Sequence, residues 1–397
     1  MKVLFVHDFY QQHGGEDACA NAERMLLQAT GHEIIAYTRD NSEIADYGVL
    51  SQLALPLNSI YSMRTKREIT RLFGTLRPDL AYIHNFFPLI SPSLYHTLHS
   101  LNVPCVQVLH DFRFLCPNGW FYINGRICDR CKHGNYTHAV RQRCYRDSYA
   151  ASAVAAAVMA VNRAAGVLNK IDAYVCVSDF VRQVFHEAGV PKEKLFVKPN
   201  FLDTSNIVPN FTPGQYALYL GRLSNEKGIR TLLDTWEQLP DVPLKIAGAG
   251  PCESEIRSHI AQKGLDHIEL LGFKTGDEKS ELLGNSAFLV VPSVWYETFG
   301  QVVLESYAAG KPVIASRTGG LQELVCHNKT GLLFTPGNVD KLLASVRFLL
   351  SNPQKICDFG RNGRKLVETR FGPGQSIETL SRIFSTVVCG AVEQVAS

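Results

Sequence analysis

Short apolar runs alternate with longer stretches in which apolar positions recur at helical spacing, and this rhythm holds almost throughout the chain. Brief apolar runs suit strands buried on both faces, and the longer amphipathic stretches suit helices that cover them. The pattern therefore predicts an α/β protein built of βα units and parallel sheets. In the first half, strands are expected at 3–6, 33–37, 80–84, 106–109 and 173–177. In the second half they are expected at 217–220, 244–247, 268–271, 288–291, 312–315 and 331–334. Helices are expected after nearly every strand, for example at 17–28, 227–239, 253–263, 301–309 and 339–350. The rhythm breaks at 200–214, where Pro199, Asn200, Pro209, Asn210, Pro213 and Gly214 give a linker composition. Two doubly wound domains are expected, 1–200 and 201–372, followed by a terminal segment 373–397. They would face each other across a cleft, with strand carboxyl ends toward it, where ligands bind in such sheets.

A length of 397 residues agrees with two domains, being too long for one ordinary core. With 46% hydrophobic and 19% charged residues the chain reads as globular. A formal net charge of only +3 argues against a dedicated nucleic-acid binder. Met1-Lys2 runs straight into a strand-like segment followed by His7 and Asp8, so no secretory signal is expected. No apolar run reaches the roughly 18 residues that span a bilayer. The nearest, the Ala-rich run 150–161, is expected to be a buried helix. Eleven cysteines without a signal are expected to be mostly reduced, in a cytoplasmic protein.

Two turns carry the candidate chemistry. The first, Gly221-Arg222-Leu223-Ser224-Asn225-Glu226-Lys227-Gly228, follows a strand and opens a helix. The second runs from Pro292 through Glu297, Phe299, Gly300 and Gln301 to Glu305, also from strand to helix. Eight residues at about 100° each put Glu297 and Glu305 on no single helix face. Glu297 is expected in the loop, and Glu305 more than a turn inside the helix. The backbone N–H groups near Gly300 would favour a phosphate or polarised hydroxyls. Glu305 would suit a ribose diol. Arg222 and Lys227 would meet the negative charge of a diphosphate leaving group. Gly14-Gly15, again between strand and helix, would offer N–H groups to the same phosphates. Each feature alone also fits a bland role: a helix-start charge, a solvated residue, or an ordinary helix start.

Taken together, the chain resembles the family 4 glycosyltransferases, the retaining group 1 class with the GT-B fold. The motifs that carry the resemblance are Gly14-Gly15-Glu16, His110-Asp111, Gly221-Arg222-Leu223 with Glu226-Lys227-Gly228, Gly248-Ala249-Gly250-Pro251, Leu271-Gly272-Phe273, Pro292-Ser293, Glu297 to Glu305, Gly310-Lys311-Pro312-Val313, Gly319-Gly320 and Gly331-Leu332-Leu333-Phe334. The resemblance implies a UDP- or GDP-sugar donor held by the second domain and an acceptor held by the first. Arg222 and Lys227 would bind the diphosphate, Glu305 the ribose, and Glu297 with the backbone of Phe299 and Gly300 the sugar hydroxyls. The backbone near Phe273-Lys274 would meet the base. His110 would contact the donor sugar, and it counts with Glu297, Lys227 and Arg222 among the catalytic candidates. The alternative for His110 is a strand-end histidine bonded to backbone. A last helix near 374–388 would cross back onto the first domain. The family's usual Asn-Gly after the interdomain strand is here Asn200-Phe201, a departure at the hinge. No catalytic metal is expected, because the cations do that work.

Cys116, Cys128, Cys131 and Cys144, spaced C-x11-C-x2-C-x12-C, form a Cys-rich insert at 116–144 of the first domain. Four such thiolates would suit structural zinc, and reduced thiols, a disulfide or a redox role are the other readings. The insert is locally basic. Arg64, Lys66, Arg67, Arg71 and Arg77 form a second basic run on an expected helix. Both patches would suit anionic headgroups or a lipid-linked acceptor, giving peripheral contact with the inner face of a membrane. A solvated basic face is the plain alternative. The expected activity is transfer of a sugar to a saccharide or lipid-linked saccharide in cell-surface polysaccharide synthesis. Its rivals are another chemistry on nucleotide sugars, such as an epimerase or a sucrose-type synthase, and a catalytically silent nucleotide-sugar-binding or partner-binding subunit of the same fold.

Overall fold

The computed structural model describes residues 1–11 and 14–396. The chain divides into two compact units. The first comprises Met1–Phe121, Cys128–Pro199 and the segment from Gly374 onward; the second comprises Tyr122–Ile127 and Asn200–Pro373.

The first unit is built on a sheet of β1 (Lys2–Phe9), β2 (Glu33–Asp40), β3 (Leu80–Ile83), β4 (Cys105–Leu109), β7 (Ala173–Cys176) and β8 (Leu195–Val197). A small antiparallel hairpin, β5 (Tyr122–Ile123) and β6 (Arg126–Ile127), interrupts the sequence between β4 and β7. The spatial order is β2-β1-β3-β4-β7-β8, and every pair in it is parallel. Parallel central strands are covered on both faces, which explains why β3 and β7 read as unbroken apolar runs and why β3, β4 and β7 are wholly buried; Gln107 is the one polar residue in β4. The strand order reverses between β1 and β3, and that point is the unit's topological switch. β8 escaped the sequence pattern because it is three residues long and only Leu195 is fully buried. The helix Pro373–Ala396 belongs to this unit's core. Leu380, Ile383 and Phe384 are fully buried, and the Phe384 ring meets Tyr82 edge-on at 5.2 Å.

The second unit repeats the plan with β9 (Tyr216–Leu220), β10 (Leu244–Ala247), β11 (Ile268–Gly272), β12 (Ser286–Val291), β13 (Val313–Ser316) and β14 (Gly331–Phe334). Their order is β11-β10-β9-β12-β13-β14, all parallel, with the switch between β9 and β12. Trp236, Leu232, Ile246 and Phe288 centre its core, and full burial of such side chains contributes about 1.5–3 kcal/mol each. Both units are therefore Rossmann-like.

The Ala-rich segment forms the helix Tyr149–Ala164, but it is not buried all round. Ser152, Ala155, Ala156 and Val158 face inward, while Tyr149 and Val161 are exposed. Small alanines let one face pack closely without demanding burial of the other. Among the described residues no helix is long and apolar enough to cross a membrane.

Candidate functional site

In the second unit both candidate turns leave the sheet at its switch point. β9 ends at Leu220, and a short 3-10 turn, Asn225–Lys227, precedes the helix Ile229–Trp236. β12 ends at Val291, and a loop carries Glu297 to the helix Gln301–Ala308. Glu297 is thus in the loop and Glu305 more than a turn inside the helix. Val294 N–H donates to the Glu226 carbonyl at 2.9 Å and ties the two turns together. Gly228 makes that approach possible. Its φ is +75°, and a Cβ there would lie 1.9 Å from the Pro292 carbonyl oxygen.

The charged side chains are already paired with one another. Lys227 Nζ donates to Glu297 Oε1 at 2.6 Å and lies 4.9 Å over the Trp295 ring. Ser293 Oγ donates to the same carboxylate oxygen at 2.6 Å. Burial opposes ionisation of Glu297, but the Lys227 ammonium and these hydrogen bonds outweigh it and hold the carboxyl below its usual range. Arg222 is partly exposed and bonds Glu226 through Nη2 and Ser224 Oγ through Nε at 3.2 Å. Glu226 is buried and also accepts from Ser224 Oγ at 2.6 Å. Glu305 accepts from Lys279 Nζ at 2.9 Å.

The remaining second-unit residues are dispersed in role. The Phe299 side chain is buried, with its ring centroid 6.1 Å from that of Phe371, so only its backbone is available to a ligand. Gly300, at φ +109°, caps the helix Gln301–Ala308. Gln301 is turned back, donating to the Phe201 carbonyl at 3.2 Å. Phe273 is an exposed ring on the segment after β11, and Lys274 pairs with Glu278 at 2.6 Å.

In the first unit, Gly14 and Gly15 start the helix Gly15–Ala29 just after β1. Gly14 N–H donates to Asp17 Oδ2 at 3.2 Å, and Asp17 Oδ1 bonds His7 Nε2 at 2.7 Å. One of the expected anion-binding amides is therefore engaged by the protein's own carboxylate. His110 follows β4. Its Nε2 lies 3.0 Å from Nδ1 of His84, which follows β3. Burial, with the charges of His7 and Lys198, pushes the His110 imidazole down to about 3, so the ring is neutral. Burial holds His84 well below its ordinary value too. Sequence reasoning passed over His84, Glu23 and Lys198, since single residues far apart in the chain form no motif. The one available signal was that His7 and His84 both sit at the carboxyl ends of expected strands.

The four cysteines of the insert carry free thiols in one neighbourhood. Burial raises the Cys131 thiol to about 12 and the Cys144 thiol to about 11, with repulsion from the other sulfurs adding to both. Burial raises Cys116 as well, against N–H groups of residues 118–121 that point at its sulfur. The donor chemistry suits zinc, but the spacing is open. Among the described residues, the one group of three metal-capable side chains with ligand atoms within 4.8 Å of one another is Asp234, Glu237 and His259. Those carboxylates are already matched by Arg230 and Lys263.

Comparison with known proteins fits this geometry. Residues 24–206 match the model described as Glycosyltransferase Family 4, and residues 203–366 match that of Glycosyl transferases group 1. The two matches meet and run from residue 24 to residue 366. The chain belongs to the group 1, family 4 glycosyltransferases, and its two units form the GT-B fold. An uncharacterized glycosyltransferase of Methanocaldococcus jannaschii is 33% identical over 194 residues, covering 49% of this chain and 54% of that protein. The D-rhamnosyltransferase WbpZ of Pseudomonas aeruginosa is 35% identical over 150 residues, covering 37% and 39% respectively. The chain thus spans about half the length, or less, of these curated relatives. The crystal structure of Anabaena HepE in complex with UDP superposes with a TM-score of 0.69 at 21% identity, over 97% of this chain and 100% of that one; this likeness is one of fold.

Proposed function

We propose that the protein is a retaining glycosyltransferase that moves a sugar from a UDP- or GDP-sugar to a saccharide or lipid-linked saccharide, in the building of a cell-surface polysaccharide. Residues 201–372 hold the donor and residues 1–200 the acceptor. The observation that carries this reading is the Lys227–Glu297 pair at 2.6 Å, held with Arg222 at the carboxyl ends of β9 and β12. A ligand with a diphosphate and hydroxyls satisfies both members. Its anion meets the cations, and its hydroxyls donate to the carboxylate.

In this reading the bond from the anomeric carbon to the diphosphate oxygen breaks. The acceptor oxygen bonds on the same face, and its proton passes to the departing diphosphate oxygen. Negative charge grows on the diphosphate as that bond stretches, and Arg222 and Lys227 stabilise it there. Glu297 and the backbone of Phe299 and Gly300 orient the sugar, Glu305 holds the ribose, and the Phe273–Lys274 backbone meets the base. Gly14, Gly15 and Gln301 complete the donor contacts, and His110 contacts the sugar as a neutral ring. The scheme calls on no catalytic metal.

A lipid-linked acceptor draws support from the first unit. Phe86, Phe87, Phe114 and Met159 line an apolar pocket to which Arg113 and Arg163 add guanidiniums. Arg163 Nη1 is buried and has no hydrogen-bond partner among the described residues. Tyr61 and Met63 stand exposed at the start of the basic helix Met63–Leu76, and Val49 and Leu57 stand exposed on the preceding helix Val49–Ile60, which suits peripheral contact with anionic lipid. Sedimentation with anionic and zwitterionic vesicles at low and high salt tests that contact. Structural zinc on Cys116, Cys128, Cys131 and Cys144 would require the sulfurs to draw together. Metal analysis of the gently purified protein tests it, and less than stoichiometric zinc ends it.

The activity is tested by melting the protein against a panel of nucleotide sugars and assaying nucleoside diphosphate release with and without acceptor. One donor should raise the melting temperature by mass action and be slowly hydrolysed. Tight binding without any release would instead support a silent binding subunit.

A further inference from the structure

The switch point of the first unit holds a chain of polar side chains of which the transfer scheme uses only His110. β1, β3 and β4 are neighbours in the sheet, and His7, His84 and His110 lie at or just past their carboxyl ends. The His84 ring is fully buried and nearly parallel to that of His110, with an interplanar angle of 22°. One His84 nitrogen, Nδ1, is 3.0 Å from His110 Nε2. The other, Nε2, is buried, lacks a hydrogen-bond partner and faces Glu23 Oε2 at 3.6 Å. Glu23 is itself buried and takes hydrogen bonds from the Tyr82 hydroxyl and the Lys198 ammonium.

The two contacts of His84 favour one arrangement of protons. At 3.6 Å the Glu23 contact is too long for a hydrogen bond, but not for charge to orient a ring in a low-dielectric interior. A carboxylate repels an imidazole lone pair and attracts an N–H, so the single proton of neutral His84 sits on Nε2. Its Nδ1 is then a lone pair, and the 3.0 Å contact requires the proton of His110 to sit on Nε2. We infer that His84, oriented by Glu23, fixes the tautomer of His110, leaving the lone pair of His110 on Nδ1. His110 then offers an acceptor at that atom and has no N–H there to donate. A sugar hydroxyl can donate to it, whereas a phosphate oxygen cannot accept from it. His84 is thus a positioning residue, and the functional part of this inference rests on the reading of His110 as a donor-sugar contact.

The test is a two-bond proton–nitrogen correlation spectrum of full-length protein labelled with 15N-histidine, with His110→Gln used only to assign the signals. His110 should show Nε2 as the protonated nitrogen and Nδ1 as the bare one. Both shifts should stay flat from pH 7.5 to 5, with His7, Glu23, Tyr82 and Lys198 the titratable groups facing the pair. In the double variant Glu23→Gln, Lys198→Met, which removes both charges together, the two His110 nitrogens should move toward averaged values. His84→Phe should cost about 10- to 100-fold in turnover with little change in donor KM, by analogy with the loss of a partner that orients a metal-bound histidine. A proton on Nδ1 of wild-type His110 overturns the inference, whether or not either variant folds. So does an unchanged tautomer in both the double variant and His84→Phe. The rise in melting temperature with UDP-glucose reports the donor reading separately, so the two can fail independently.

Discussion

The two units share a plan and put opposite electrostatics at its reversal point. At the β9/β12 switch side chains of opposite charge are matched: Lys227 with Glu297, Arg222 with Glu226, Lys279 with Glu305. At the β1/β3 switch, burial strips charge from two imidazoles, and a close ion pair beside them, Glu23 with Lys198, is wholly enclosed. A doubly wound sheet therefore dictates where a ligand meets the chain and not what it meets there. A charged ligand needs charges that can exchange partners, and partly exposed pairs such as Arg222–Glu226 allow this. An uncharged group needs a hydrogen-bonding atom of fixed polarity, and enclosure provides it.

The sharpest way to break this comparison is Lys227→Ala. Removing one cation aimed at developing charge should cut turnover by about 10²–10³-fold. The structure adds that Glu297 would be left buried without its cation, at a cost of about 3–5 kcal/mol. Lys227→Met with Glu297→Gln should recover most of that stability and none of the turnover, as read by urea denaturation and by transfer assay. The same pair has an acid signature. Because the Glu297 carboxyl is held below its ordinary 4.5, its contribution to stability is present above that value and is lost as pH falls through the lowered one. The double variant should lack that loss.

A second contrast is steric. Gly228 is wedged against Pro292 at positive φ, whereas a Cβ on Gly15 would meet nothing within 4 Å. Gly228→Ala should therefore cost more than about 3 kcal/mol, and Gly15→Ala less than about 0.5 kcal/mol. Equal costs in urea denaturation would show that the two switches are built alike.

These contrasts also mark what the sequence could disclose. Apolar runs disclosed eleven of the sheet strands, most plainly β3, β7, β12, β13 and β14, which are buried along their whole length. They did not disclose β8, whose apolar run is only three residues long between Lys194 and Lys198. The two second-unit turns were legible because a strand, a turn and a helix bring their chemistry together within a few residues. The partners were not. Lys279 meets Glu305, and Lys198 meets Glu23 across 175 positions, only because parallel crossovers return distant segments to the same end of a sheet. Gln301 lay in a legible motif, yet its side chain bonds the backbone at Phe201, a use that spacing does not encode.

Arg222 sharpens the claim about exchangeable charges with a smaller effect. Its planar group bridges Ser224 and Glu226, and Lys cannot reproduce a fork. Arg222→Lys should raise donor KM by about 10-fold, the equivalent of one lost charge-assisted bond of about 1.4 kcal/mol, with a smaller fall in turnover.

The mildest expected change is the most discriminating for the ribose. Lys279 and Glu305 are both partly exposed, so their 2.9 Å pair contributes at most about 1 kcal/mol to folding. Lys279→Ala should leave the melting temperature within a degree or two. Without its cation Glu305 loses its orientation but gains freedom to accept a diol, and the two effects oppose each other. UDP affinity should then shift by less than about 5-fold, while Glu305→Ala should weaken it by at least about 10-fold through loss of a charge-assisted hydrogen bond. Calorimetry with UDP and with the 2′,3′-dideoxy analogue separates the cases. If the wild type binds both equally, Glu305 is not the ribose ligand, and its pairing with Lys279 is a surface ion pair and nothing more.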